Sequence, residues 1–234
     1  VHKPAGLLVH RSLIDRHATR FAMQMLRDRI GQHVWPLHRL DRPTSGILLF
    51  ALDVATARRM GEIVAAGELG KTYLAILRGY LPESGRIDYP LIEEPDAKSD
   101  RKARPDKPAQ PAITDYRRLA TAELPLPVGR YATARFSLAE LRPQTGRKHQ
   151  LRRHMKHIFH PILGDTTHGD GKQNAFARDH FGCQRLLLAA TKLEFPHPTT
   201  GAALTIAAEP AADFISVLRA CGWLSTGNGA TVLE

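Results

Sequence analysis

The sequence predicts an α+β fold on a largely antiparallel mixed sheet with a few flanking helices. Three observations carry that prediction. Strand-like apolar runs outnumber helical windows. No strand–helix–strand rhythm repeats, which argues against a parallel α/β sheet. The 234 residues, 43% hydrophobic, suffice for one sizeable core, so 1–234 reads as a single domain without internal repeats.

Val1 to Val9 reads as a strand remnant, a Pro-Ala-Gly turn and a short apolar run. The chain begins at Val1 rather than Met, inside that strand, so an N-terminal piece is expected to be missing. Phe21, Met25, Leu26 and Ile30 recur at helical spacing, and Gly31 stops that helix. Val34 to Leu37 is strand-like, and Ile47 to Leu52 is expected as one apolar strand. Between them lies His38-Arg39-Leu40-Asp41-Arg42-Pro43-Thr44-Ser45-Gly46, punctuated as a turn by Pro43 and Gly46. Asp53 caps a second helix through about Ala66, closed by Gly67 and Gly70. Lys71 to Leu77 is a strand.

From Glu93 to Pro111, charges and the prolines Pro95, Pro105, Pro108 and Pro111 replace any period. Residues 93–111 therefore read as a flexible surface insertion. Strands follow at Ala112–Leu119 and Ala132–Leu141, then the turn Pro143–Gly146 and a helix from about Lys148 to Ile158. Arg185–Phe195 and Ala203–Ala208 are strands, and Ala211–Cys221 is a closing helix ended by Gly222.

The formal charge of +10 and pI near 10.0 steer the protein toward polyanions, most simply nucleic acid. Lys98, Arg101, Lys102, Arg104 and Lys107 make an RNA-contacting arm the alternative reading of 93–111. Two distant cysteines, Cys183 and Cys221, provide neither a disulfide framework nor a metal pair and fit a reducing cytoplasm. No apolar run reaches membrane-spanning length and no signal peptide opens the chain. His149, His154, His157, His160 and His168 are dense, yet no Cys or carboxylate lies at ligand spacing, so no metal site is expected.

Two stretches carry chemistry. Asp41 is a lone carboxylate between Arg39 and Arg42 on a loop, where function tends to concentrate; the bland reading is an Asx-turn. In the helix after Gly146, Leu151, Met155 and Ile158 should face the core. His149, Arg152 and Lys156 form a second, basic stripe, fit for an RNA backbone or a buried carboxylate, or merely a solvated face.

These blocks resemble the RluA-type pseudouridine synthases. The matching stretches are Lys3–Gly6, His38–Gly46, Lys71-Thr72-Tyr73, Thr145–Arg152 and His160–Asp165, in the family's order. The resemblance implies the pseudouridine synthase catalytic fold with a central cleft and no cofactor; many relatives carry an extra small N-terminal RNA-binding domain, and here, where the chain starts directly in the catalytic blocks, none is expected. Gly6–Ser12, Thr145–His154, His168-Gly169-Asp170 and His180-Phe181-Gly182 look closer to a branch acting on uridine 65 of tRNA. Ribosomal RNA is the alternative substrate, and a non-catalytic RNA-binding protein or a metal-dependent nuclease the alternative classes. A monomer is expected.

By the same resemblance Asp41 is the essential catalytic carboxylate. It would act either as a nucleophile at C1′ or as a base at C2′, and both routes stay open. Arg152 is expected to pair with it, and Tyr73 to stack on the flipped uracil with its hydroxyl aiding removal of the C5 proton. Arg39 is expected to fill the gap left by the flipped base. Arg42, Arg147, Lys148 and His149 join it as RNA-facing residues, with Leu151 as an apolar pocket wall. Of these, Arg147 and His149, together with His38, Thr44, Ser45 and Gln150, are expected to hold backbone and neighbours rather than react.

Overall fold

The structure is a computed structural model that describes residues 1–11, 18–93 and 108–224. Most of the 93–111 insertion, with its basic cluster, lies outside the described residues, as does Ser12. Ten strands and five helices are described. The strands are β1 (His2–Lys3), β2 (Trp35–Pro36), β3 (Ser45–Ile47), β4 (Phe50–Ala51), β5 (Gly70–Arg78), β6 (Ser84–Asp88), β7 (Ile113–Leu124), β8 (Ala134–Pro143), β9 (Leu188–Pro196) and β10 (Ala203–Ala207). The helices are α1 (Ala22–Ile30), α2 (Val54–Ala65), α3 (Gln150–His157), α4 (Gly171–Phe181) and α5 (Ala212–Ala220).

The main sheet runs β1-β3-β9-β5-β8-β7-β6, with β10 also on β9, and only β3–β9 is parallel. An α+β fold on a mostly antiparallel sheet is therefore what the chain forms. β5 shows how its core is built. Leu74 and Ile76 point to one face, against α4 and α5 through Phe176, Phe214 and Val217. Tyr73, Ala75 and Leu77 point to the other, against Leu151 and Met155 of α3. Because strand side chains alternate between faces, a strand buried on both reads as a continuous apolar run, and Tyr73–Leu77 does. Met155 is fully buried, so truncation to Ala removes about 2–5 kcal/mol.

Three readings are corrected. The single strand expected at Ile47–Leu52 is two: β3 joins the main sheet, while β4 pairs with β2 in a separate ribbon. Leu48 and Leu49 make the crossing, and the Leu49 N–H donates to Nε2 of His38 at 3.1 Å. A short strand, β6, escaped notice because Ser-Gly-Arg-Ile-Asp offers one buried side chain, Ile87. Helix α4 escaped because its buried face includes Gln173 and Asn174, which blurs the apolar period; Asp170 caps it through the N–H groups of Lys172 and Gln173. Among the described residues no helix is long and apolar enough to cross a membrane.

Candidate active site

Asp41 sits on the loop between β2 and β3, and the loop is tied from four directions. Inside it, the Thr44 N–H donates to the Asp41 carbonyl. The buried Lys3 ammonium donates to the carbonyls of Pro4, Leu7 and Arg42 at 3.0, 2.7 and 3.1 Å. The Gly6 N–H meets the same Arg42 carbonyl, and Nε of Arg42 returns to the Gly6 carbonyl at 3.2 Å. Arg185, held bidentately by Asp213, donates to Oγ of the buried Ser45. At the loop's exit Gly46 has φ 111, and a Cβ there would meet the Ala190 carbonyl oxygen of the neighbouring strand at 2.1 Å. Only glycine allows β3 to approach β9 this closely.

Along the loop Leu40 turns into the core while Arg39 and Arg42 are exposed. Asp41 lies between them, its side chain 24% exposed. Burial pushes the Lys3 ammonium down to about 8 against the opposing pull of Asp41, so this cation is held at electrostatic cost to anchor the loop.

The second contribution comes from α3. Thr145 Oγ1 accepts from the Ile113 N–H and donates to Oε1 of Gln150, which also accepts from the Arg147 N–H. The Gln150 amide donates to the Ile113 carbonyl and to Thr114. Gln150 thereby rivets the start of α3 to β7. His149, just before the helix, is left-handed with φ 54, a conformation uncommon outside glycine. The expected stripe of His149, Arg152 and Lys156 is not one solvated face. Lys156 is exposed, while Arg152 is 3% exposed and turned inward.

Arg152 reveals what sequence reasoning missed. Its Nε and Nη2 each donate to Asp165 at 2.7 Å, a bidentate pair in which the Asp165 side chain is 1% exposed. Its Nη1 points the other way and lies 3.6 Å from Oδ2 of Asp41. One guanidinium thus bridges a buried carboxylate and a half-exposed one, with the short contacts on the buried side. Burial opposes the charge on both partners. The hydrogen bonds and mutual attraction outweigh it, holding Arg152 above and Asp165 below their ordinary values. Asp165 Oδ1 also accepts from the N–H groups of Thr167 and His168. Gly164 makes room: at φ 78, a Cβ would fall 1.9 Å from the Arg185 carbonyl oxygen. The signal was present in His160–Asp165 as an acid after glycine, but the partner 13 positions back cannot be read from spacing.

Asp41 stands in the wall between two clefts, shared by Arg39, Leu40, Lys148, His149 and Arg152. One, of about 380 Å³, is lined by Lys71, Tyr73, Leu151 and Leu188. The other, of about 520 Å³, is lined by His10, Arg42, Thr167 and Arg185. Leu151 is buried against Tyr73 in the same core layer. Burial first, and then the Asp41 charge, push the Tyr73 phenol well above its ordinary value, so it sits there as a neutral phenol. Arg39 is exposed and makes no hydrogen bond or ion pair among the described residues. Arg147 is exposed and spends its Nε on the Pro111 carbonyl.

The other histidines of this region are engaged in local contacts. His154 bonds Thr114 and the Tyr89 carbonyl, His157 stacks on Tyr89 at 3.7 Å, and His160 bonds the Arg78 carbonyl. His149 Nδ1 meets His168 Nε2 at 3.0 Å.

Comparison with known proteins identifies the family of the chain. The family model described as RNA pseudouridylate synthase matches residues 1–157. A Vibrio cholerae protein named tRNA pseudouridine synthase C is 55% identical over 223 residues, covering 95% of this chain and 91% of the relative. The Pasteurella multocida protein of the same name is 54% identical over 223 residues, covering 95% and 92%. Among solved structures, human RNA pseudouridylate synthase domain containing 4 superposes with a TM-score of 0.67 at 26% identity, covering 93% of this chain and 87% of that one. The chain belongs to the RNA pseudouridylate synthase family and is a pseudouridine synthase, an isomerase.

Proposed function

We propose that this enzyme isomerises uridine 65 of tRNA to pseudouridine, using Asp41 after the target base has been flipped out of its stack. The observation that supports it most is the convergence on Asp41. A carboxylate with Arg152 Nη1 at 3.6 Å stands on the wall of a cleft whose floor is Tyr73 and Leu151. The tRNA substrate rests on the names of relatives matching 95% of the chain. The +10 charge suits a polyanionic partner. We take residues 1–234 as one catalytic domain acting as a monomer in the cytoplasm. The two cysteines, free and buried, suit a reducing compartment.

The reaction breaks the N1–C1′ bond, turns the uracil and rejoins it through C5. No electrons pass to a second molecule, so side chains suffice. Arg39, outward-facing and unengaged among the described residues, takes the space the base vacates, where a planar guanidinium can stack and hydrogen-bond. Arg42, Arg147, Lys148 and His149 line the approach. Asp41 then attacks C1′ or removes the C2′ proton. Tyr73 stacks on the released uracil. As a neutral phenol it removes the C5 proton only by passing its own proton on.

The test is mass spectrometry of tRNA and ribosomal RNA incubated with the purified protein. Pseudouridine at tRNA position 65 is expected. Modification confined to ribosomal RNA would move the substrate, and none in either would end the proposal.

A further inference from the structure

We infer that His149 is a positioning residue for Asp41, and that His168 sets its orientation and tautomer. This rests on the proposed role of Asp41. His149 Nε2 lies 4.0 Å from Oδ2 of Asp41, the same oxygen that Arg152 Nη1 approaches at 3.6 Å. The other ring nitrogen of His149 meets Nε2 of His168 at 3.0 Å, with the rings edge-on at 72°. His168 is buried, and its backbone N–H is fixed on Asp165 Oδ1. Asp165 therefore anchors two arms that close on one carboxylate oxygen: Arg152 directly, and His149 by way of His168.

Only one proton fits between the two facing imidazole nitrogens. If His149 kept it on Nδ1, its Nε2 lone pair would face the Asp41 carboxylate, which is repulsive. With both rings neutral, the arrangement that satisfies both contacts has His168 Nε2–H donating to His149 Nδ1, with the His149 proton on Nε2 toward Asp41. The left-handed backbone at His149 fits the same purpose. His149 holds φ 54 one position before α3, and such strain persists where the surroundings hold it. With Arg152 on one side and the imidazole on the other, the rotation of the carboxylate about its Cβ–Cγ bond is restricted, which aims one oxygen at the sugar.

Two variants test this. In His168→Phe the ring volume stays but the donor goes. His168→Gln returns an N–H near the position of Nε2. Single-turnover pseudouridine formation should fall about 10–100-fold in His168→Phe and recover most of that in His168→Gln. The tRNA dissociation constant should change by less than about 2-fold in both, because His168 is buried and a buried side chain offers little surface to RNA. Nitrogen NMR of labelled histidine in the wild-type protein, at an alkaline pH where imidazoles are neutral, should show His149 protonated on Nε2. That readout needs no substrate, so it stands even if the assigned RNA proves wrong. Equal rates in His168→Phe and wild type would overturn the proposal. So would a His149 proton on Nδ1, or a rate loss wholly explained by weaker tRNA binding.

Discussion

The two carboxylates that share Arg152 occupy opposite environments. Asp165 is dry, with its side chain 1% exposed, and it accepts four hydrogen bonds: two from the guanidinium and two from backbone N–H groups. Asp41 is 24% exposed and, among the described residues, has only looser contacts, at 3.6 and 4.0 Å. The closed side supplies rigidity and is shut away from a substrate. The open side keeps its oxygens available. An acid that is fully satisfied orients others; the acid left under-satisfied at a cleft is the one that can react.

The sharpest way to break that contrast is on the closed side. Asp165→Ala leaves the Arg152 cation buried with only the looser Asp41 contact at 3.6 Å and should cost about 3–5 kcal/mol of folding stability, read by urea unfolding. A loss within about 0.5 kcal/mol, the range of an ordinary surface change, would mean the pair is not the anchor. Because Asp165 is held below its ordinary value, its contribution is present at neutral pH and is lost only as the pH falls below the usual carboxylate range.

A smaller effect appears earlier on acidification. His38 accepts the Leu49 N–H through Nε2, and its pKa is lowered to about 4, first by burial and then by Lys71. Unfolded, the ring takes up its proton near 6.5; folded, only near 4. Between those values the unfolded chain holds the extra proton. Stability therefore falls as pH drops through that window, by about 3 kcal/mol in all. His38→Gln keeps an acceptor and does not titrate, so its stability should be nearly flat there. An equally steep decline would place the acid sensitivity elsewhere. The smallest effect is at the open edge. Arg39→Ala should weaken productive RNA engagement by about 1–3 kcal/mol with the melting temperature unchanged, seen as a lower single-turnover rate. An unchanged rate would remove Arg39 from base flipping.

The open side of the site was legible in the sequence, and the closed side was not. Asp41, Tyr73 and Arg152 stand in short ordered blocks, and the β5 run shows its burial directly. Asp165 and His168 lie in blocks just as visible, but their roles depend on which group meets them across space. The approach of Gly164 to Arg185 and the rivet of Gln150 on β7 decide that, and both are tertiary. The Ile47–Leu52 run misled for a related reason. Its apolar pattern fits one strand, but its backbone splits between two sheets. Lys3 gives no hint of burial, since a lysine closing over three carbonyls looks like any surface lysine until the turn folds around it.

The most direct test of the account is pseudouridine formation in a single turnover by Asp41→Asn, with tRNA binding and the melting temperature measured on the same sample. The account predicts a rate lower by roughly 10³–10⁴-fold or more, with binding and melting close to those of the unaltered protein. An Asp41→Asn enzyme that still converts its uridine at a comparable rate would contradict it.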